Sequence, residues 1–448
     1  MRADLGEQLE GIVGHGQVLS GIARTAPFAV DGMAPELVVR PGTQEEAAQV
    51  VAAAHAAGAA MIPWGGGTAM GLGNPPTRVD VVVQLDRLDQ LVEWDPANLT
   101  VTAEAGMRLG ALQEIIARER VILPLDPPGG DRHSLGGLVA ANLSGPGRLQ
   151  YGTVRDWLLG LRVILPDGQR IHCGGRVIKN VSGLDMNKLY IRSMGTLGFI
   201  TEVTFKLQPM PALRSGVLGL FQDSALAWAV VEQIKGSFLL PESMDYLDRA
   251  ATARLNRTLG LETVPGSCAL VGTLAGSPET VERQSRDLTA LIHAGGGTAL
   301  ALQSGPTGQA LEVIRALMAG ESPHPERILC RIAVPIGQTG DLAEAAEEAG
   351  QGCGLQTTVV AHACSGVVWA SYRPAPGALP HADAALEGLR RKAEAMEGSL
   401  VLQEAPPGLK QSLDAWGAPG DGFEMMRRLK AEFDPRGLCN PGRFVGGI

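Results

Sequence analysis

Between Pro124 and Pro209 the chain is dense in small residues and turn formers, and this stretch limits the folds open to the rest. It begins Pro124-Leu125-Asp126-Pro127-Pro128-Gly129-Gly130 and continues through Gly136-Gly137-Leu138-Val139-Ala140-Ala141-Asn142-Leu143-Ser144-Gly145. It closes with Gly195-Thr196-Leu197-Gly198 and the alternating segment Phe199 to Leu207. Glycine has no Cβ and tolerates positive φ, so another group can approach its backbone closely. Peptide N–H groups exposed at helix starts and in glycine turns attract anions. The stretch therefore reads as a surface made largely of backbone, suited to something large, flat and phosphorylated, such as a dinucleotide.

A second segment has the same character. Ile62-Pro63-Trp64-Gly65-Gly66-Gly67-Thr68-Ala69-Met70-Gly71-Leu72-Gly73 follows a helix and a short apolar run. It is neither the G-x-G-x-x-G fingerprint leading into a helix nor a P-loop ending in Gly-Lys-Ser/Thr. Two glycine-rich segments, each beside strand-like sequence, argue for paired loops at one binding surface rather than for slack connections.

At 448 residues the chain has room for two or three domains. No run approaches 18 apolar residues, so no transmembrane segment is expected, and the first 30 residues lack a signal-peptide layout. The net charge of −9 argues against nucleic acid as a partner. Cys173, Cys268, Cys330, Cys353, Cys364 and Cys439 include no C-x-x-C pair, so an iron–sulfur or zinc ligand set is not expected. Scattered cysteines point to a reducing, cytoplasmic setting.

Taken in order, residues 1–33 are loosely patterned and read as a surface crossover. A strand is expected at Leu37–Val39, then a helix capped by Thr43, with Glu46 completing a capping box and Ala47, Val50, Val51 and Ala54 facing inward. Strands follow at 60–63 and 80–85, a hairpin around Asp95-Pro96-Ala97-Asn98, and a helix over 109–118. The second lobe has a short helix at 135–143, a strand stopped by Pro166-Asp167-Gly168, a helix over 186–193, and the strand 199–207, with one face more apolar. From 211 to about 400, strands alternate with helices, which predicts an α+β sheet with helices on one side. The last elements are a strand at 399–404 and a helix at 423–433.

Several motifs together carry a resemblance. Trp64-Gly65-Gly66-Gly67-Thr68 and the 124–209 stretch resemble the FAD-binding domain of the vanillyl-alcohol oxidase / p-cresol methylhydroxylase superfamily. Lys179-Asn180-Val181-Ser182-Gly183-Leu184-Asp185 and Phe433-Asp434-Pro435-Arg436-Gly437-Leu438-Cys439-Asn440-Pro441-Gly442-Arg443-Phe444 resemble its D-2-hydroxyacid dehydrogenase branch. Asp31-Gly32-Met33-Ala34-Pro35, Ser144-Gly145-Pro146 and Arg155-Asp156 are most similar to the FAD-binding E-subunit family of glycolate oxidases. The match is close over 30–210 and 400–448 and loose between. It implies an α+β fold: an N-terminal crossover (1–33), a two-lobed FAD-binding domain of the p-cresol methylhydroxylase type (34–210, break near 120), an α+β cap (211–410) and a C-terminal return (411–448).

The resemblance also implies a site. Trp64, Gly65, Gly66, Gly67 and Thr68 would meet the FAD pyrophosphate. Gly136, Gly137, Ala141, Asn142, Ser144 and Gly145 would line the flavin and ribityl chain. Gly195, Gly198 and Ile200 would lie toward the adenine, and Asn440 and Arg443 near the ring. Members with covalent flavin carry a histidine where this chain has Thr68, so noncovalent FAD is expected. Lys179 and Asp185 shape a flavin-side loop in the family.

Catalytic members of the branch carry a His-x-Gly-Asp-Gly-Asn-x-His strand and a later Glu-His pair, which bind a divalent metal and take the hydroxyl proton. Here the strand reads Ala361-His362-Ala363-Cys364-Ser365-Gly366-Val367-Val368-Trp369, and the pair falls at Gln403-Glu404-Ala405-Pro406. His362 and Glu404 alone remain, possible neighbours but fewer ligands than a stable metal site needs, so no metal is expected. The implied function is an FAD-binding accessory electron-transfer subunit of a glycolate or D-lactate oxidising complex. Its partners would be a catalytic flavin subunit and an iron–sulfur subunit, through which it would meet a membrane peripherally. The rival reading is a self-sufficient FAD-dependent dehydrogenase with a metal-free site, with His362, His133 or Tyr372 as proton acceptor.

Overall fold

A computed structural model describes residues 2–176, 184–262, 266–320, 326–373 and 379–448. Lys179 and its neighbours through Gly183 lie outside these residues.

The N-terminal lobe is built on a small sheet in the order Val18–Ser20, Leu37–Val39, Val81–Gln84, Met61–Trp64, parallel except for the first pair. Helix Gln44–Ala56 packs on it and buries Ala47, Val50, Val51 and Ala54. Thr43 caps this helix by accepting from the Glu46 N–H at 3.1 Å, but the Glu46 carboxylate accepts from Gly42 N–H rather than from Thr43. The sequence reading of 1–33 as a surface crossover is corrected. Arg2–Val13 is a helix whose Leu5, Leu9 and Val13 are buried at four-residue spacing, and Val18–Ser20 joins the sheet edge.

The second lobe is a five-stranded antiparallel sheet ordered Leu91–Asp95, Thr100–Glu104, Phe199–Lys206, Leu158–Ile164, Arg170–Gly174. Phe199–Lys206 is its central strand, and both faces are buried to Phe205, because Thr201, Glu202 and Thr204 are covered too. The helix expected over 186–193 shrinks to one turn, Asn187–Tyr190.

Residues 213–404 form an eight-stranded antiparallel sheet. Its order is Thr298–Leu302, Leu213–Phe221, Cys268–Gly276, Ser243–Leu247, Gln356–His362, Val367–Arg373, Ile328–Ala333, Ser399–Glu404. One face is apolar throughout and packs under helices Ser224–Lys235, Pro278–Ala294, Thr339–Gly352 and Leu379–Ala395. Helices are not confined to that side: Arg249–Leu259 and Ser304–Met318 cover part of the other face through Ala251, Leu255, Ala310 and Ile314. The rest of that second face carries Ser243, Asp245, His362, Thr273 and Arg331, placed by the strand register, with Trp369 of the helix-covered cluster beside Arg331. It turns toward the N-terminal lobes, where Tyr151 donates to Glu242 at 3.0 Å and Arg214 clasps the same carboxylate with two bonds.

The C-terminal segment closes the molecule. After helix Phe423–Phe433 the chain runs beside Met61–Trp64, with Met61 N–H donating to Leu438 O and Asn440 N–H to Met61 O. Lys430 is buried and donates to Thr196 O, Cys439 O and Asp434, which pins this return against the Gly195 turn.

Candidate functional site

The glycine segments of both lobes meet at one cleft. Its walls include Trp64, Gly65, Gly66, Gly67, Thr68, Gly136, Gly137, Ala141, Gly195, Gly198, Ile200, Asn440 and Arg443. Asn142, Ser144 and Gly145 do not line it. Asn142 ends helix Leu135–Ala141 in the left-handed region, Ser144 accepts from Arg148, and Gly145 lies so close to Asp126 that a Cβ would fall 1.7 Å from its carbonyl oxygen.

The absence of side chains is required by packing as much as by any ligand. A Cβ on Gly65 would sit 2.0 Å from Ser134 Oγ, and one on Gly195, whose φ is +70°, 2.3 Å from Pro63. Ser134 joins the two loops: it caps helix Leu135–Ala141 by accepting from Gly137 N–H and also accepts from Gly66 N–H, both at 3.3 Å. Sequence reasoning passed over Ser134, although a Ser just before a helical run is a cap signal. It also passed over Met194, which lines the cleft and carries no motif.

Where the first loop leaves the cleft, two buried cations anchor it. Arg443 donates to the carbonyls of Met70 and Leu72, Lys410 donates to Gly71 O at 2.6 Å, and both cations pair with Asp31. Burial pulls down the Lys410 and Arg443 pKa values, and Asp31 opposes that in each.

The cleft fits a dinucleotide on its own terms. Among the described residues no acceptor pairs with the N–H of Gly65, Gly67 or Thr68. Asn440 donates to Met194 O, but its Oδ1 is buried without a partner. Free backbone donors and orphaned polar atoms around a glycine-walled cleft are what a phosphorylated ligand would satisfy.

His133 does not line this cleft. Its Nε2 lies 2.6 Å from Pro128 O, and a carbonyl only accepts, so Nε2 carries the proton and Nδ1 accepts from the Thr68 hydroxyl at 2.6 Å. Burial lowers its pKa, which keeps the ring neutral. With both nitrogens committed, His133 braces the Thr68 loop and has no lone pair free for a substrate proton. Tyr372 is on the helix-covered face of the large sheet, where its hydroxyl donates to Ala346 O. Asp185 is half-exposed and pairs with Lys188.

His362 is different. Its Nδ1 lies 2.6 Å from Asp245 Oδ1, Ser243 Oγ donates to Asp245 Oδ2, and Thr273 bonds Ser243 in turn. His362 Nε2 is buried with no partner among the described residues. Glu404 is not its neighbour. The register runs from Glu404 to Leu329, Ser371 and Thr358, four residues short of His362, and the Glu404 carboxylate pairs with Arg327. Counted from His362, the second histidine position of the metal-binding pattern falls on Trp369. Among the described residues no three His, Cys, Asp or Glu side chains converge as metal ligands.

A family model described as an FAD binding domain matches residues 35–174, and one for FAD linked oxidases, C-terminal domain, matches 210–444. Glycolate oxidase subunit GlcD of Bacillus subtilis (strain 168) is 26% identical over 420 residues, covering 92% of this chain and 89% of its own. A D-lactate dehydrogenase of Archaeoglobus fulgidus is 26% identical over 425 residues, covering 94% and 93%. Among solved structures, p-cresol methylhydroxylase with substrate bound aligns over 98% of this chain and 96% of its own with a TM-score of 0.78 at 16% identity, a likeness of fold.

Proposed function

This chain belongs to the FAD-linked oxidases, and from that premise we propose that it serves as an accessory flavoprotein subunit of a glycolate or D-lactate oxidising complex. It is an oxidoreductase whose cofactor is FAD. One observation supports the proposal: the glycine segments of both lobes meet at one cleft, while Arg327 occupies Glu404 and Trp369 stands at a histidine position. FAD, when bound, supplies the acceptor for the two electrons of an alcohol's C–H bond. The chain's own residues bind it noncovalently, since Thr68 offers no ring nitrogen for attachment. Gly65, Gly67 and Thr68, whose N–H groups have no acceptor among the described residues, would hold the pyrophosphate, and the Asp31, Lys410 and Arg443 cluster holds the Met70–Leu72 end of that loop. The partners in this reading are a catalytic flavin subunit and an iron–sulfur subunit. Among the described residues no helix is long and apolar enough to cross a membrane, so any membrane contact would come through those partners, in the cytoplasm.

A second reading has its own support. His362 holds a free, buried Nε2 while Asp245 fixes its Nδ1 proton, the arrangement of a general base. The chain would then oxidise a 2-hydroxyacid or alcohol itself, without a metal. The visible spectrum of the purified chain, taken before and after anaerobic glycolate or D-lactate, separates the two. The accessory role predicts a flavin spectrum that neither acid bleaches. Bleaching that is lost in His362→Gln would overturn it in favour of the second reading.

A further inference from the structure

The polar face of the large sheet carries an arginine that nothing balances. Arg331 sits on Ile328–Ala333 and pairs in register with Trp369 on the next strand, so the two side chains lie next to each other on the face turned toward the flavin lobes. Among the described residues the Arg331 guanidinium has no hydrogen-bond acceptor and no carboxylate partner. Trp369 is buried, and its Nε1–H has no acceptor either. Two arginines of the opposite lobe act on Arg331 by their charge. Arg148 follows the Ser144-Gly145-Pro146 turn and reaches Ser144 Oγ at 3.3 Å. Arg192 lies 5.4 Å from the centre of the Trp416 ring and pairs with no carboxylate among the described residues. Burial, reinforced by the charges of Arg148 and Arg192, brings the Arg331 pKa down to about 9. Asp126 and Asp156 offset Arg148, but no carboxylate acts on Arg192 or Arg331.

Arg148, Arg192 and Arg331 are each part-exposed, and like charges held close to one another are unfavourable unless something anionic joins them. The same face sets beside Arg331 two buried polar atoms without a partner among the described residues, Trp369 Nε1 and, two residues further along and one strand over, His362 Nε2. Donors at one end and a lone pair at the other match a carboxylate next to a hydroxyl. We propose that Arg331 and the Trp369 N–H form an anion site that holds the carboxylate of a 2-hydroxyacid, with its hydroxyl toward His362, while Arg148 and Arg192 add positive charge from the opposite lobe. This inference rests on the second functional reading, that the chain itself meets an acid.

Oxalate is a suitable probe, because it presents carboxylates and cannot be oxidised as an alcohol. The FAD-loaded chain is titrated with oxalate and followed by flavin absorbance and by calorimetry. The expected result is saturable binding that weakens roughly tenfold to a hundredfold in Arg331→Met and is partly restored in Arg331→Lys, since a charge-assisted bond is lost and then regained. Trp369→Phe keeps the bulk, removes only the N–H, and is expected to weaken binding roughly three- to tenfold. FAD content is expected to stay unchanged in all three. An unaltered oxalate affinity in both Arg331→Met and Trp369→Phe overturns the site, as does loss of FAD from Arg331→Met, which would place that arginine on the cofactor. Oxalate binding without bleaching by any acid leaves the anion site standing and removes the turnover reading. Bleaching with no effect of these substitutions does the reverse.

Discussion

At the scale of single residues, the cleft depends on atoms that are missing. Gly65→Ala would drive a Cβ into Ser134 Oγ, so the loop must shift. The expected outcome is a folded protein whose flavin-to-protein absorbance ratio falls several-fold, with far-ultraviolet dichroism unchanged. Asp126 gives a pH test. Burial raises its carboxyl from 3.8 to about 6, against hydrogen bonding from Gly147 and the charge of Arg315. Its folded pKa exceeds its unfolded one, so the folded state holds the proton more tightly between those values, and stability falls as pH rises from about 4 to 6. Chemical denaturation at both ends of this window should show a loss of about 1–2 kcal/mol, and Asp126→Asn should flatten it. The glycines were legible because a missing side chain leaves a mark on the sequence. Asp31, Arg148, Arg192 and Arg331 were not, as site residues, because a lone charged residue looks the same whether solvated or buried. Only the register of distant strands shows that Arg331 adjoins Trp369 and that Glu404 is far from His362.

At the scale of elements, the strongest patterns gave the right pieces and the weaker ones were set by packing. Helix Gln44–Ala56 and helix Pro278–Ala294, with Ser277 accepting from Thr280 N–H, carry their caps in the sequence. Helix Arg2–Val13 has no side-chain cap signal and a diluted apolar face, yet Leu5, Leu9 and Val13 dock against the helix after Thr43. Leu9→Ala should cost about 2–4 kcal/mol in urea unfolding, because the site is closed on all sides. A cost below about 0.5 kcal/mol, as for a surface position, would restore the reading of this segment as a loose crossover. Strand Ser243–Leu247 is only five residues long, and in it Ser243 and Asp245 alternate with Met244 and Tyr246. The alternation puts Ser243 and Asp245 on one face, where they orient His362.

At the scale of the whole molecule, the lobes share apolar packing, since Leu72, Ala141, Leu143 and Met194 belong to one cluster with Val217 and Met244 of the large sheet, and buried polar joints tie them further. Glu242 takes bonds from Tyr151 on one side and Arg214 on the other. Glu242→Ala leaves both donors without their acceptor and should lower stability by about 2–3 kcal/mol, read by thermal unfolding of the holoprotein. The joint between Met61 and Cys439 has a different consequence, in time rather than energy. The strand that borders the first glycine loop is made early in synthesis, whereas Leu438 to Arg443, which flank it and lock its exit, are made near the end of this sequence. Asp31 and Arg443 stand 412 positions apart. A nascent chain therefore carries a half-built pocket through most of its translation, with Met61 unpaired and the loop unanchored. Cofactor capture then falls after nearly all of this sequence has left the ribosome, and ribosome-bound chains stalled before Leu438 should emerge without flavin.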